Sequence, residues 1–225
     1  MNWIRAMVLE VFAILGVILL QIFGLFWQPK FRATNFGTPI LLVHGYINTS
    51  AIWLYLKWKI KHLGPIYTIT LKPPFTSIEA HAEQMDKMAT LIEKETLNKN
   101  LILVGYSMGG LVSAYYATKL APKNKVQKII SISSPFAGTQ VAKIAIGTNA
   151  NQMRIGSMFL TKINDEINNS KIPLFTIASK TDEIVIPYSS ALLENSKQFI
   201  FNDLGHAGLI FSPRIAATLT HLIEA

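Results

Sequence analysis

The stretch Leu101-Ile-Leu-Val-Gly-Tyr-Ser-Met-Gly-Gly110 narrows what this chain can fold into more than any other. Four apolar residues, Leu101 to Val104, read as a buried strand, and an apolar helical pattern resumes from Met108 to Leu120. Between them stands Gly105-Tyr106-Ser107-Met108-Gly109, a G-x-S-x-G arrangement. A serine forced into so sharp a strand-to-helix turn has a strained backbone, and residues two positions away must lack side chains that collide with the turn. Its Oγ then stands above the sheet, with the positive end of the next helix behind it. A tight turn with a helix-capping serine is the plainer alternative. The apolar flanks and Gly110 favour an exposed nucleophile.

The chain around this turn alternates strands and helices. Thr38 to His44, Ile66 to Leu71, Val126 to Ser133, Pro173 to Ala178 and Gln198 to Phe201 read as strands. Ser50 or Asn48 can cap a helix reaching Leu63, and Ser77 one that runs to Asn98. Thr139 to Asn169 is partly helical, clearest over Ser157 to Ile163, and a last helix is expected from about Gly208 to Glu224. The alternation predicts an α/β fold whose mostly parallel sheet is covered by helices on both faces, with residues 34–225 as one catalytic domain.

Hydrophobic residues make up 50% of the 225, and the excess gathers at the N-terminus. Met7 to Trp27 is apolar except for Glu10, Gly16, Gln21 and Gly24. As a helix rising about 1.5 Å per residue it is long enough for a hydrocarbon core of about 30 Å. Arg5 precedes it, and Trp27, Lys30 and Arg32 follow as interfacial anchors do. Residues 1–33 therefore read as a transmembrane-type hydrophobic helix and linker. A cleaved signal peptide is the rival, opposed by the length of the run and the lack of a small-x-small cleavage site. The absence of cysteine excludes disulfides, thiolate catalysis and cysteine metal sites. The net charge of +8 comes from scattered lysines without a long basic run. It fits an anionic lipid surface or simple solubility better than a nucleic-acid groove.

A serine hydroxyl needs a base. Of the histidines, His62, His81 and His221 fall on expected helices and read as surface or helix-face residues, while His44 shapes the loop after the first strand. His206 lies in Asn202-Asp-Leu-Gly-His-Ala-Gly208, after the last strand and before the last helix. In a parallel sheet that is the carboxyl edge, where Ser107 also stands. An acid is needed to fix the imidazole tautomer. Asp182, in the loop after Pro173 to Ala178, is the candidate; Glu183 competes with it, and Asp203 is too close to His206 along the chain. The order Ser107, Asp182, His206 follows. The backbone N–H groups of Tyr46 and Met108 are the candidate oxyanion donors, and Ser134, Phe136 and the Asn48 loop are candidates for the acyl side.

These residues together resemble the α/β-hydrolase superfamily, and within it the small, nearly lidless bacterial lipases and esterases. Leu42-Val-His-Gly-Tyr46 resembles their oxyanion loop, Gly105 to Gly110 their nucleophile elbow, Ser133 to Gly138 the segment after the following strand, and Leu204 to Phe211 their histidine loop. The resemblance runs from about Thr38 to the C-terminus. It implies a Ser-His-Asp mechanism on carboxylic esters of lipids, with no metal and no organic cofactor. Expected partners are a lipid or small ester and a membrane, without nucleic acid, for a monomer held at a bacterial inner membrane and facing the periplasm in preference to the cytoplasm, although positive residues flank both ends of the helix. Secretion after signal cleavage is the alternative location. Thioesterase or acyltransferase chemistry with the same three residues, or a non-catalytic binding module on the same fold, remain open.

Overall fold

The computed structural model describes residues 3–26 and 37–225. Among these residues, six strands form one sheet in the order β2-β1-β3-β4-β5-β6. They are β1 (Ile40–Val43), β2 (Ile66–Ile69), β3 (Leu101–Tyr106), β4 (Val126–Ile132), β5 (Leu174–Ser179) and β6 (Lys197–Phe201). Every neighbouring pair is parallel. All strand C-termini therefore lie on one edge. The chain moves outward from β1 to β2, then crosses back over β1 to β3 and continues the other way. The order thus reverses between β1 and β3, the place where sheets of this kind bind their ligands.

The strands are apolar because both faces are covered. One core joins Leu41, Val43, Leu103 and Ile129 to helices α3 (Ile78–Thr96), α4 (Met108–Tyr115) and α6 (Met158–Asn169). The opposite core joins Ile40, Leu42, Val104 and Ile130 to α2 (Leu54–Ile60), α7 (His206–Phe211) and α8 (Pro213–Glu224). A short α5 (Thr148–Gln152) precedes α6. Ser77 caps α3 by accepting from Ala80 N–H at 3.2 Å.

Three local expectations change. The last helix is two helices, because Pro213 has no N–H to continue α7 and Ser212 starts α8 afresh, accepting from the N–H groups of Arg214 and Ile215. The helix expected from Ser50 begins as a 3-10 turn, Ser50–Trp53, whose cap position is Thr49. His81 is fully buried rather than on the surface, with its ring 3.5 Å from Asn149 Nδ2. Burial lowers its pKa to about 4, so it is held neutral.

The N-terminal segment departs furthest from expectation. It forms α1 (Trp3–Phe26), but among the described residues no helix is long and apolar enough to cross a membrane. A spanning anchor is thus not supported, and α1 instead lies on the α/β body. Glu10, Ala13, Val17, Gln21 and Gly24 share one helix face by their spacing. Gln21 Nε2 donates to Asn48 Oδ1, and Gly16 comes close to the Phe211 ring. Gly24 packs so tightly on Thr49 that a Cβ there would stand 2.3 Å from Thr49 Oγ1. The expected boundary at residues 33 and 34 and the flanking Trp27, Lys30 and Arg32 lie outside the described residues.

Candidate active site

Ser107 sits between β3 and α4 with φ 54° and ψ −126°. For a non-glycine residue this is a sparsely populated conformation costing about 1–3 kcal/mol, held only because its surroundings dictate it. The neighbouring glycines show what dictates it. A Cβ on Gly105 would stand 2.5 Å from the Gly109 carbonyl oxygen, and one on Gly109 only 2.1 Å from that of Val43. The start of α4 is thereby pressed onto the end of β1. Ser107 N–H donates to Ile132 O at 2.8 Å, tying the turn to β4.

The loop after β1 closes on this turn from the β1 side. A Cβ on Gly45 would stand 2.9 Å from Ser107 Cβ. His44 sets the loop's course: its Nε2 accepts from Leu71 N–H at 2.9 Å, which leaves Nδ1 to donate to Gly45 O at 2.8 Å. Burial lowers its pKa to about 4 and holds that neutral tautomer. Among the described residues, the backbone N–H groups of Tyr46 and Met108 have no internal acceptor. The Tyr46 side chain is engaged elsewhere, donating to Ile146 O at 2.6 Å and accepting from Ile146 N–H at 3.2 Å.

Asp182 and His206 come together at the carboxyl ends of β5 and β6. His206 Nδ1–H donates to Asp182 Oδ2 at 2.8 Å, and both side chains are almost completely buried. Asp182 Oδ1 accepts from the N–H groups of Ile184 at 2.9 Å and Val185 at 2.8 Å. Ser133 Oγ donates to Oδ2. Burial alone raises the Asp182 pKa, but the His206 charge and these hydrogen bonds outweigh it and hold the pKa below the usual value. For His206, burial lowers the pKa, while Asp182, then Glu183 and Glu10, raise it, and the net direction is upward. The pair is built so that Nε2 carries the free lone pair.

Ser107 is linked to this pair through its neighbour. The Tyr106 ring lies 4.8 Å from the His206 ring, centroid to centroid, and Tyr106 Oη donates to His206 O at 3.1 Å. Among the described residues no hydrogen bond joins Ser107 Oγ to the imidazole. Such contacts are commonly long until a substrate closes them. Glu183 does not compete for Nδ1. Its Oε2 accepts from His206 N–H at 3.1 Å. Ser134 and Phe136 are fully buried, so they support the elbow and core instead of lining an open acyl side. Among the described residues no cluster of His, Cys, Asp or Glu could hold a metal ion.

Three contributors lie outside the sequence reading. Ser133, at φ 49°, and Tyr106 are reached only through tertiary contacts. Glu10 accepts from the N–H groups of Ala207 at 2.7 Å and Gly208 at 2.9 Å, and it hydrogen-bonds Glu183. The one available signal for Glu10 was a carboxylate in an otherwise apolar helix.

Residues 38–154 match the family model for the alpha/beta hydrolase fold. Among curated relatives, a pimeloyl-[acyl-carrier protein] methyl ester esterase of Vibrio campbellii is 23% identical over 76% of this chain and 88% of its own length. Its counterpart in Vibrio cholerae is 28% identical over 49% of this chain, a match that spans 41% of that relative. Among solved structures, the mature Bacillus licheniformis lipase BlEst2 superposes with a TM-score of 0.74 at 17% identity, covering 87% of this chain and 96% of that one. A thermophilic esterase from Thermogutta terrifontis superposes at 0.64 with 18% identity, covering 87% and 92%. With its parallel sheet, its serine at the β3–α4 turn and this family match, the chain belongs to the α/β-hydrolase fold family.

Proposed function

We propose that this carboxylic ester hydrolase works through Ser107, His206 and Asp182 by way of an acyl-enzyme. Ser107 Oγ attacks the ester carbonyl while His206 Nε2 takes its proton. Asp182 holds the Nδ1–H tautomer and stabilises the imidazolium. The Tyr46 and Met108 amides receive the oxyanion. His206 then returns its proton to the leaving alcohol, and water repeats the sequence to release the acid. The observation that carries the reading is the strained Ser107 on the same sheet edge as the buried Asp182–His206 pair. Esters of acyl chains are the proposed substrates. Lipases among the structural neighbours and methyl ester esterases among the relatives support that class. The test is hydrolysis of an ester series by the full chain, from short acetates to methyl and glyceryl esters of long acids, with Ser107→Ala as control. Turnover surviving in the control would overturn the reading.

Membrane attachment is proposed through the outer face of α1 lying in the lipid interface, with residues 34–225 as the catalytic domain. Val8, Phe12, Leu15, Leu19 and Ile22 recur along that face and are exposed. An apolar helix face without a protein cover is suited to the boundary between headgroups and acyl chains. The exposed Trp58, with Lys59 Nζ 4.6 Å from its ring, belongs to α2, which follows the 3-10 turn supporting α1. The full chain is expected to float with anionic vesicles in a density gradient, and Phe12→Asp/Leu19→Asp to stay behind while its serine still reacts with a fluorophosphonate. Flotation unchanged by the double substitution would overturn this attachment.

A further inference from the structure

We infer that Glu10, a carboxylate delivered by the N-terminal helix, is a positioning residue for the catalytic histidine, locking the His206 loop through a shared carboxyl pair with Glu183. The inference rests on the assignment of His206 as the base and adds a dependence of that base on α1.

The geometry is specific. The two Glu10 oxygens take the N–H groups of Ala207 and Gly208, the two residues that follow His206. Glu183 takes the N–H of His206 itself. Three successive backbone donors at the base of the imidazole therefore end on two carboxyl groups that are hydrogen-bonded to each other. The loop sequence leaves room for this arrangement. A Cβ on Gly205 would stand 2.1 Å from Glu10 Cδ, and one on Gly208 2.8 Å from Glu10 Oε2. Gly205 has φ −72°, a conformation any residue adopts, so the backbone itself does not demand glycine there. The carboxylate of α1 accounts for the empty space.

Two carboxyl groups in contact hold a proton between them more tightly than either would alone. Burial, then the charge and hydrogen bond of Glu183, raise the Glu10 pKa to about 7, against the lowering effect of the two backbone donors. The titratable groups around this locus are Glu10 of α1, Asp182 and Glu183 of the β5 loop, Tyr106 of β3 and His206 of α7. With Glu10 protonated, the pair is bonded and the loop is closed on it. Above about pH 7 the proton leaves, the two carboxylates repel, and the loop loosens.

The experiment compares Glu10→Ala, Glu10→Gln, Gly205→Ala and the double variant Glu10→Ala/Gly205→Ala in the full chain. Each is followed by kcat, KM, the rate of serine labelling by a fluorophosphonate, and melting. Loss of positioning is expected to lower kcat and labelling about 10- to 100-fold in Glu10→Ala with little change in KM. Glu10→Gln, which can donate to Glu183 and accept one backbone N–H, should recover most of that rate and lose the decline in kcat above about pH 7. Gly205→Ala should reproduce the loss by displacing the carboxylate, and the double variant should be no worse than Glu10→Ala. Wild-type rates in Glu10→Ala, or losses that multiply in the double variant, would overturn the inference. If Glu10→Ala does not fold, equal rates and equal pH profiles in Gly205→Ala and Glu10→Gln would overturn it as well. Labelling of His206→Ala at the wild-type rate would instead sink the assignment of the base.

Discussion

Replacing Ser107 by alanine is expected to lower kcat by about 10⁶-fold while leaving the melting temperature unchanged. Nucleophile and base act as a unit, so loss of one removes nearly everything the unit supplies. Alanine carries the same Cβ, so the strained backbone at φ 54° is no worse than before. A residual rate of about 10³–10⁴ over water can persist from oxyanion donors and substrate binding alone. The Tyr46 and Met108 amides are not touched by the substitution. Steady-state kinetics on the best ester of the series measures this directly. A rate within tenfold of wild type would remove Ser107 from the mechanism.

Asp182→Asn should cost up to about 10⁴-fold in kcat, through the wrong imidazole tautomer. The carboxylate has four donors around it: His206 Nδ1–H, Ser133 Oγ–H and the N–H groups of Ile184 and Val185. An amide turned to keep the backbone donors on its oxygen points its NH2 at Nδ1, which then must accept and move the proton to Nε2. The base is thereby blocked. A shift in pH dependence follows as well. His206 must be neutral to act, so kcat/KM rises as pH passes upward through its pKa, which Asp182 helps to raise. Removing that charge should move the acid limb to lower pH. A mild loss at Asp182→Asn beside a loss near 10⁴-fold at Glu183→Gln would move the acid's role to Glu183.

The carboxyl edge was legible because its signals are local. A strand that ends in Gly-x-Ser-x-Gly, and loops that hold Asp182 and His206 after later strands, can be placed by counting strands in a parallel sheet. Their roles then follow from chemistry and remain a proposal. What escaped is made by distant pairs. Glu10 meets Ala207 across 197 positions, and nothing within a helix window indicates which backbone donors its carboxylate will take. His81 reads as amphipathic because the spacing of its helix fits. Its burial comes with α5, whose Asn149 Nδ2 lies 3.5 Å from His81 Nε2. The break at Ser212-Pro213 was present in the sequence but masked by an apolar spacing that runs through it. The membrane-crossing reading of α1 finds no support among the described residues. Length and hydropathy count residues all round a helix, whereas Glu10 and Gln21 spend one face of α1 on hydrogen bonds to the body.

The central claim is that Ser107 is the activated nucleophile, and the site of covalent capture tests it most directly. The folded full chain should be treated with a fluorophosphonate, digested, and the adduct located by tandem mass spectrometry. A single adduct on Ser107, absent in Ser107→Ala and slowed strongly in His206→Ala, is the predicted result. No adduct on folded protein, or one on another serine with Ser107 untouched, would contradict it.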